Sequence, residues 1–236
     1  MKTLQIIIIT IATIAGCTKN ANTAATNTTA TMTDPTAYNY LALGDSYTIG
    51  ESVPQDQSFP YQLTGLLAQS SVHVNAPTII ATTGWTTDNL INAISASSIH
   101  NKTYDFVTLL IGVNDQYQGL TQTNYRTKFV QVLQTAIRFA KGDTSRVFVL
   151  SIPDWGVTPF ANGQANSISP QIDQFNTINK EESQKAGVQY LDITPISRQA
   201  VTDPSLIAGD GLHPTGKMYG LWVTRLAPMI KVRFTK

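Results

Sequence analysis

Apolar and polar positions alternate along this chain at two periods, and the switching between them outlines the fold. The apolar run Leu41-Ala42-Leu43 stops at Gly44-Asp45-Ser46, so residues 39–43 read as a short buried strand ending in a turn. Pro54 and Pro60 punctuate a loop, and residues 61–69 then predict a short helix. Residues 72–81 have the β-branched pattern of a mostly extended segment. After a loop at 82–86, Thr87-Asp88 has the look of a helix start, with the helix running on to Ala96. Residues 104–111 are nearly all apolar, as in a strand covered on both faces of a parallel sheet. Gly112-Val113-Asn114-Asp115 ends that run. Between 123 and 140, Phe129, Val132, Leu133, Ala136, Ile137 and Ala140 fall at helical spacing. Residues 146–152 predict a fourth strand, closed by Pro153.

The stretch 154–170, rich in Asn, Gly and Ser, reads as a long loop, and loops of that length in compact domains are more often functional than not. Residues 171–186 predict a helix capped by Gly187, and residues 188–193 a fifth strand. Residues 195–208 are irregular or short helix. The last helix is predicted over 214–231, with Pro214 tolerated in its first turn. Five strands separated by helices predict a three-layer α/β/α sandwich around a parallel sheet, in one domain spanning 38–236.

Before residue 38 the pattern is different. Lys2 precedes an apolar stretch of about a dozen residues, too short for a spanning helix of about 20, and small residues follow at Ala15-Gly16. That describes a secretory signal over 1–16, weighed against a buried N-terminal helix. Residues 17–37 are rich in Asn, Thr and Ala and bury too little to fold, so they predict a flexible tether reaching roughly 25 Å. Ile14-Ala15-Gly16-Cys17 resembles the lipobox of bacterial lipoproteins. That resemblance implies cleavage before Cys17, a lipid on its thiol, and an exported domain held at the bacterial cell envelope with the membrane as its partner.

Composition narrows the partners. The formal charge is +1, and Lys2 is the sole charged residue before Cys17, so the chain from Cys17 onward is neutral. Neutrality argues against nucleic acid and against charge-driven attraction to anionic lipid. Cys17 is the single cysteine, which rules out an intrachain disulfide. Three histidines leave few choices for a base.

Ser46 stands at the carboxyl end of the first predicted strand, where open α/β sheets bind ligands. A serine hydroxyl needs a base, and the base needs an orienting group. His73 lies in an early strand and His100 in a polar connection. His213 follows Asp210 by three residues in a glycine-containing turn, a spacing that can return the carboxylate to imidazole Nδ1. The same spacing also fits Asp210 as a plain helix cap. Donors to an oxyanion could come from the Ser46 N–H, from Gly84 after the second strand and from the Asn114 amide after the third. Gly84 also fits a simple turn and Asn114 an Asx turn.

Together, Gly44-Asp45-Ser46-Tyr47, Gly84, Gly112-Val113-Asn114-Asp115 and Asp210-Gly211-Leu212-His213-Pro214 resemble the four ordered blocks of the SGNH, or GDSL, hydrolases. The resemblance covers nearly the whole domain. It implies a flavodoxin-like fold, Ser46 as nucleophile, His213 as base and Asp210 as its partner. It further implies an oxyanion hole of Ser46 N–H, Gly84 N–H and the Asn114 side chain. Tyr47 stands where the family name has leucine.

Other chemistries have less support. Thr48 occupies the place of the second glycine of G-x-S-x-G, and no nucleotide-binding glycine motif is present. A metal site of Asp45, Asp210 and His213 lacks any H-x-H or D-x-H cluster, so no metal or other cofactor is expected. The expected activity is hydrolysis of a small carboxylic ester: short acyl, carbohydrate acetyl or small lipid. Trp85, Tyr117 and Trp155 lie in loops after strands and could wall the substrate, or be ordinary packing. The rival class is a surface-tethered carbohydrate- or lipid-binding protein that keeps the fold without the chemistry.

Overall fold

The computed structural model describes residues 36–234. The signal at 1–16, Cys17 and the tether up to residue 35 lie outside them. Among the described residues no helix is long and apolar enough to cross a membrane.

Five strands form one parallel sheet: β1 (Tyr40–Gly44), β2 (Thr78–Ala81), β3 (Phe106–Leu110), β4 (Val147–Leu150) and β5 (Gln189–Leu191). Their order is β2-β1-β3-β4-β5, with Leu43 opposite both Ile80 and Leu109. The helices are α1 (Ser46–Ile49), α2 (Phe59–Ala68), α3 (Thr87–Ala96), α4 (Val113–Tyr117), α5 (Gln122–Phe139), α6 (Ala165–Ala186), α7 (Thr194–Ser197) and α8 (Gly216–Lys231).

The layers follow from the strand order. Parallel strands need right-handed crossovers. The step from β1 to β2 runs toward one edge and carries α2 over one face. The steps from β2 to β3, β4 and β5 run the other way and carry α3, α5 and α6 over the opposite face. The packing agrees: α2 lies against α8, and α5 lies against both α3 and α6. The central strands β1, β3 and β4 are buried throughout, which is why their sequences are unbroken apolar runs. Their few polar groups are paired inside the core, as where Tyr40 Oη meets Thr108 Oγ1 at 2.7 Å.

Several boundaries differ from the sequence expectation. Residues 72–81 form a strand over Thr78–Ala81 alone, with Val74 making an isolated bridge to Tyr38. The long loop expected over 154–170 is shorter, because α6 begins at Ala165 and Pro170 lies inside it. Pro170 is the sixth residue of α6, so it forfeits one backbone hydrogen bond, a loss that the buried face of this 22-residue helix outweighs. Pro214 lies outside α8 and makes a bridge with Ile207. The short helix α4 had no counterpart in the sequence pattern.

The step β1→β2 runs one way and β2→β3 the other, so the order reverses beside β1. A crevice therefore opens at the carboxyl ends of β1 and β3, the place where sheets of this order bind ligands.

Candidate active site

β1 runs straight into α1, and the turn carries Ser46. A Cβ on Gly44 would collide with the Leu110 carbonyl oxygen and Thr48 Oγ1, so only glycine lets strand and helix join this closely. Asp45 caps α1, its Oδ1 accepting from the Tyr47 N–H at 3.0 Å. Burial pushes the Asp45 carboxyl up to about 8, against the Tyr47 hydrogen bond, with nearby Asp115 adding to the rise. Ser46 opens the helix, so no carbonyl of its own helix can reach its N–H. The residue is 4% exposed.

His213 comes from a loop closed on itself. Ile207 and Pro214 bridge antiparallel, the Ala208 N–H donates to the His213 carbonyl at 2.7 Å, and the Gly211 N–H donates to the Ala208 carbonyl at 3.0 Å. Inside it, Asp210 Oδ1 accepts from the Leu212 and His213 N–H groups at 2.9 and 3.0 Å. Asp210 Oδ2 accepts from His213 Nδ1 at 2.6 Å. An ionised carboxylate only accepts, so Nδ1 carries the proton and Nε2 is the free basic atom. Partial burial raises the Asp210 carboxyl. Hydrogen bonds from Ser52, the His213 ring and the two backbone N–H groups outweigh that and hold it well below the usual carboxylate range. His213 is 7% exposed.

The loops after β2 and β3 are tied to each other. Asn114, in the first turn of α4, donates one amide hydrogen to the Trp85 carbonyl at 3.0 Å, which leaves the other free. Asp115 Oδ2 accepts from the Thr87 N–H at 2.9 Å. Gly112 caps α4 at φ +123°, and a Cβ there would run into the ring of Tyr125. Gly84, at φ +81°, lies in the joined loop.

These pieces meet at a cavity of about 150 Å³. Ser46, Gly84, Asn114 and His213 all line it, together with Tyr47, Thr83, Val113, Tyr117, Trp155, Phe160 and Leu212. Trp155 is held by its indole N–H, which donates to Gln116 Oε1 at 2.7 Å, while Gln116 Nε2 donates to Gln171 Oε1 at 3.0 Å. The ring centroid of Tyr117 stands 5.4 Å from Trp155, and that of Phe160 stands 6.1 Å from it. Tyr117 and Phe160 are 58% and 50% exposed, so the cavity has an aromatic rim open to solvent.

Trp85 does not line the cavity. Its side chain packs partly buried against the core, and its contribution is the carbonyl that orients Asn114. His73 and His100 are exposed and lie outside the cavity. Phe160, Gln116 and Ser52 were not singled out in the sequence. Phe160 had a signal, an aromatic within the same polar stretch as Trp155, whereas Ser52 and Gln116 had none. Among the described residues no group of three or more His, Cys, Asp or Glu is placed to hold a metal ion.

Ser46 with its hydroxyl, the Asp210-paired His213 imidazole, and Gly84 and Asn114 with their amides are brought to one small chamber, and these are the kinds of group that acyl transfer on a serine requires. Comparison with known proteins bears on it. Residues 42–221 match the GDSL-like lipase/acylhydrolase family. Comparison with curated proteins finds no match. Solved structures are similar in fold. An acetylxylan esterase from Geobacillus stearothermophilus is 16% identical with a TM-score of 0.65, covering 82% of this chain and 94% of its own. The lipase/acylhydrolase from Enterococcus faecalis is 19% identical with a TM-score of 0.62, covering 83% and 96%. A psychrotrophic esterase from Pseudoalteromonas sp., in a structure inhibited by monoethylphosphonate, is 15% identical with a TM-score of 0.62, covering 84% and 100%.

Proposed function

The chain belongs to the GDSL-like lipase/acylhydrolase family, and from that premise we propose that it hydrolyses carboxylic esters through an acyl-enzyme on Ser46. His213 Nε2 takes the Ser46 proton as Oγ bonds to the ester carbonyl carbon. The oxyanion is held by the N–H groups of Ser46 and Gly84 and by the Asn114 amide. His213 then gives its proton to the leaving alcohol as the carbon–oxygen bond breaks, and water repeats the sequence on the acyl-enzyme. Asp210 holds the imidazole in the tautomer this requires. The observation that carries the proposal is the 2.6 Å Asp210–His213 pair, whose His213 lines the same cavity as Ser46.

Size and lining suggest the substrate. About 150 Å³ suits a short acyl group, well below the 300–1,000 Å³ of drug-sized sites. The rim of Tyr117, Trp155 and Phe160 offers flat faces to an apolar group or a sugar ring. The similar acetylxylan esterase makes an acetylated carbohydrate a reasonable first substrate to try. The test is hydrolysis of p-nitrophenyl acetate, butyrate and octanoate and of an acetylated xylo-oligosaccharide. The reading expects turnover that declines with acyl length and vanishes in Ser46→Ala. Equal turnover by Ser46→Ala would refute it.

A further inference from the structure

The carboxylate of Asp210 has a donor that a Ser-His-Asp arrangement does not require. Ser52 Oγ donates to Asp210 Oδ2 at 2.6 Å, the same oxygen that accepts from His213 Nδ1 at 2.6 Å. Asp210 Oδ1 is already engaged by two backbone N–H groups, so Ser52 and His213 share what remains. Ser52 reaches across from the turn that follows α1. The Gly50 and Glu51 N–H groups both donate to the Ser46 carbonyl at 3.1 Å, and Ser52 comes next with φ +65°. That is the left-handed region, where glycine is favoured over a residue with a Cβ. A serine kept in that conformation points to a use for its hydroxyl.

We propose that Ser52 is a positioning residue for the reaction given above: its hydroxyl fixes the Asp210 carboxylate and moderates the basicity that Asp210 confers on His213. The inference rests on the reading of Asp210 and His213 as base and partner. Two physical consequences follow from the shared oxygen. An O–H donor draws charge from the carboxylate, so the imidazolium is stabilised less than it would be by Asp210 without Ser52. The bond also ties the turn that presents Ser46 to a loop from the far end of the chain. Ser52 and Asp210 are 158 residues apart, while Ser52 is on the turn that Ser46 begins.

The side-chain bond from Ser52 leads the influences that hold the Asp210 carboxyl low. The titratable groups around the pair are Asp45, Tyr47 and Glu51 at and after α1, Asp154 beyond β4 and Tyr219 of α8. Lys217, at the start of α8, is engaged by Asp203. Removing the Ser52 hydroxyl leaves each of these in place.

Two substitutions separate hydroxyl from backbone. Ser52→Ala removes the donor and keeps the strained φ, whereas Ser52→Gly removes the donor and relieves it. The measurement is the midpoint of the His213 imidazole by NMR titration, with the signal assigned by its loss in His213→Gln. It is accompanied by the pH profile of kcat/KM. Both variants are expected to raise the midpoint by about half a pH unit, threefold in proton affinity, and to move the rising limb of kcat/KM upward equally. An unchanged midpoint in both variants, or a shift in one alone, would overturn the proposal. The NMR midpoint is read in the resting protein. Absence of ester turnover in the wild type would therefore count against the esterase reading, and the midpoint would still decide the role of Ser52.

Discussion

Ser46 carries an ordinary alcohol, and its reactivity in the proposed reaction depends on two neighbours with different tasks. His213 supplies the base and Asn114 supplies charge stabilisation. The Asn114 amide has one hydrogen committed to the Trp85 carbonyl, which fixes the amide group beside the cavity and lowers the ordering cost of donating the other to a forming oxyanion. Asn114→Ala is expected to lower kcat by roughly 10²- to 10³-fold with a smaller change in KM, measured on p-nitrophenyl acetate. Asp45 has the opposite character, a carboxyl used as a cap and kept away from the chemistry. Its folded value of about 8 lies above the unfolded one, so the native state keeps a proton that the unfolded chain releases. The stability from that proton is complete below about pH 4 and is lost as pH rises through 8. Asp45→Asn keeps an oxygen for the Tyr47 N–H and has no proton to lose. Denaturant unfolding is expected to show the wild type falling relative to this variant by roughly 3 kcal/mol between about pH 5 and 8. A constant difference over that range would show that Asp45 is ionised in the fold.

At the scale of elements, the sheet positions the site through the ends of its strands. Gly112 shows how tightly: the residue before α4 has a left-handed φ and no room for a Cβ against Tyr125. Gly112→Ala is expected to lower the unfolding free energy by about 3 kcal/mol, from strain and overpacking together, as measured by urea titration. The same features explain what could be read from the sequence. β1, β3 and β4 were legible because strands buried on both faces are unbroken apolar runs. Ser46, Gly84, Asn114 and His213 were legible because each follows a strand or precedes a helix at one edge. α4 was not, since its single turn, Val113–Tyr117, is too short to show a period. The start of α6 was hidden by Pro170, which reads as a stop until the helix is seen to begin before it. Ser52 could not be found from local pattern at all, because its role exists only in a contact with Asp210 across 158 residues.

At the scale of the whole molecule, the fold brings Ser46 from near the start of the domain and His213 from near its end to one crevice. The reversal of strand order beside β1 opens it, and the aromatic rim of Tyr117, Trp155 and Phe160 borders it. We propose, from the sequence alone, that this domain is exported and held at a bacterial membrane by a lipid on Cys17, which lies outside the described residues. Cys17→Ser is expected to move the esterase from the membrane fraction to the soluble fraction with turnover unchanged. Equal membrane retention would remove the lipid anchor from the account. The central claim is that Ser46 is a nucleophile activated by His213. The most direct measurement is intact-mass and peptide mapping after exposure to a fluorophosphonate. The account predicts one phosphonyl group per chain, on Ser46, absent in Ser46→Ala and strongly slowed in His213→Gln. Labelling of another serine that persists in Ser46→Ala, or no labelling of the wild type, would contradict it.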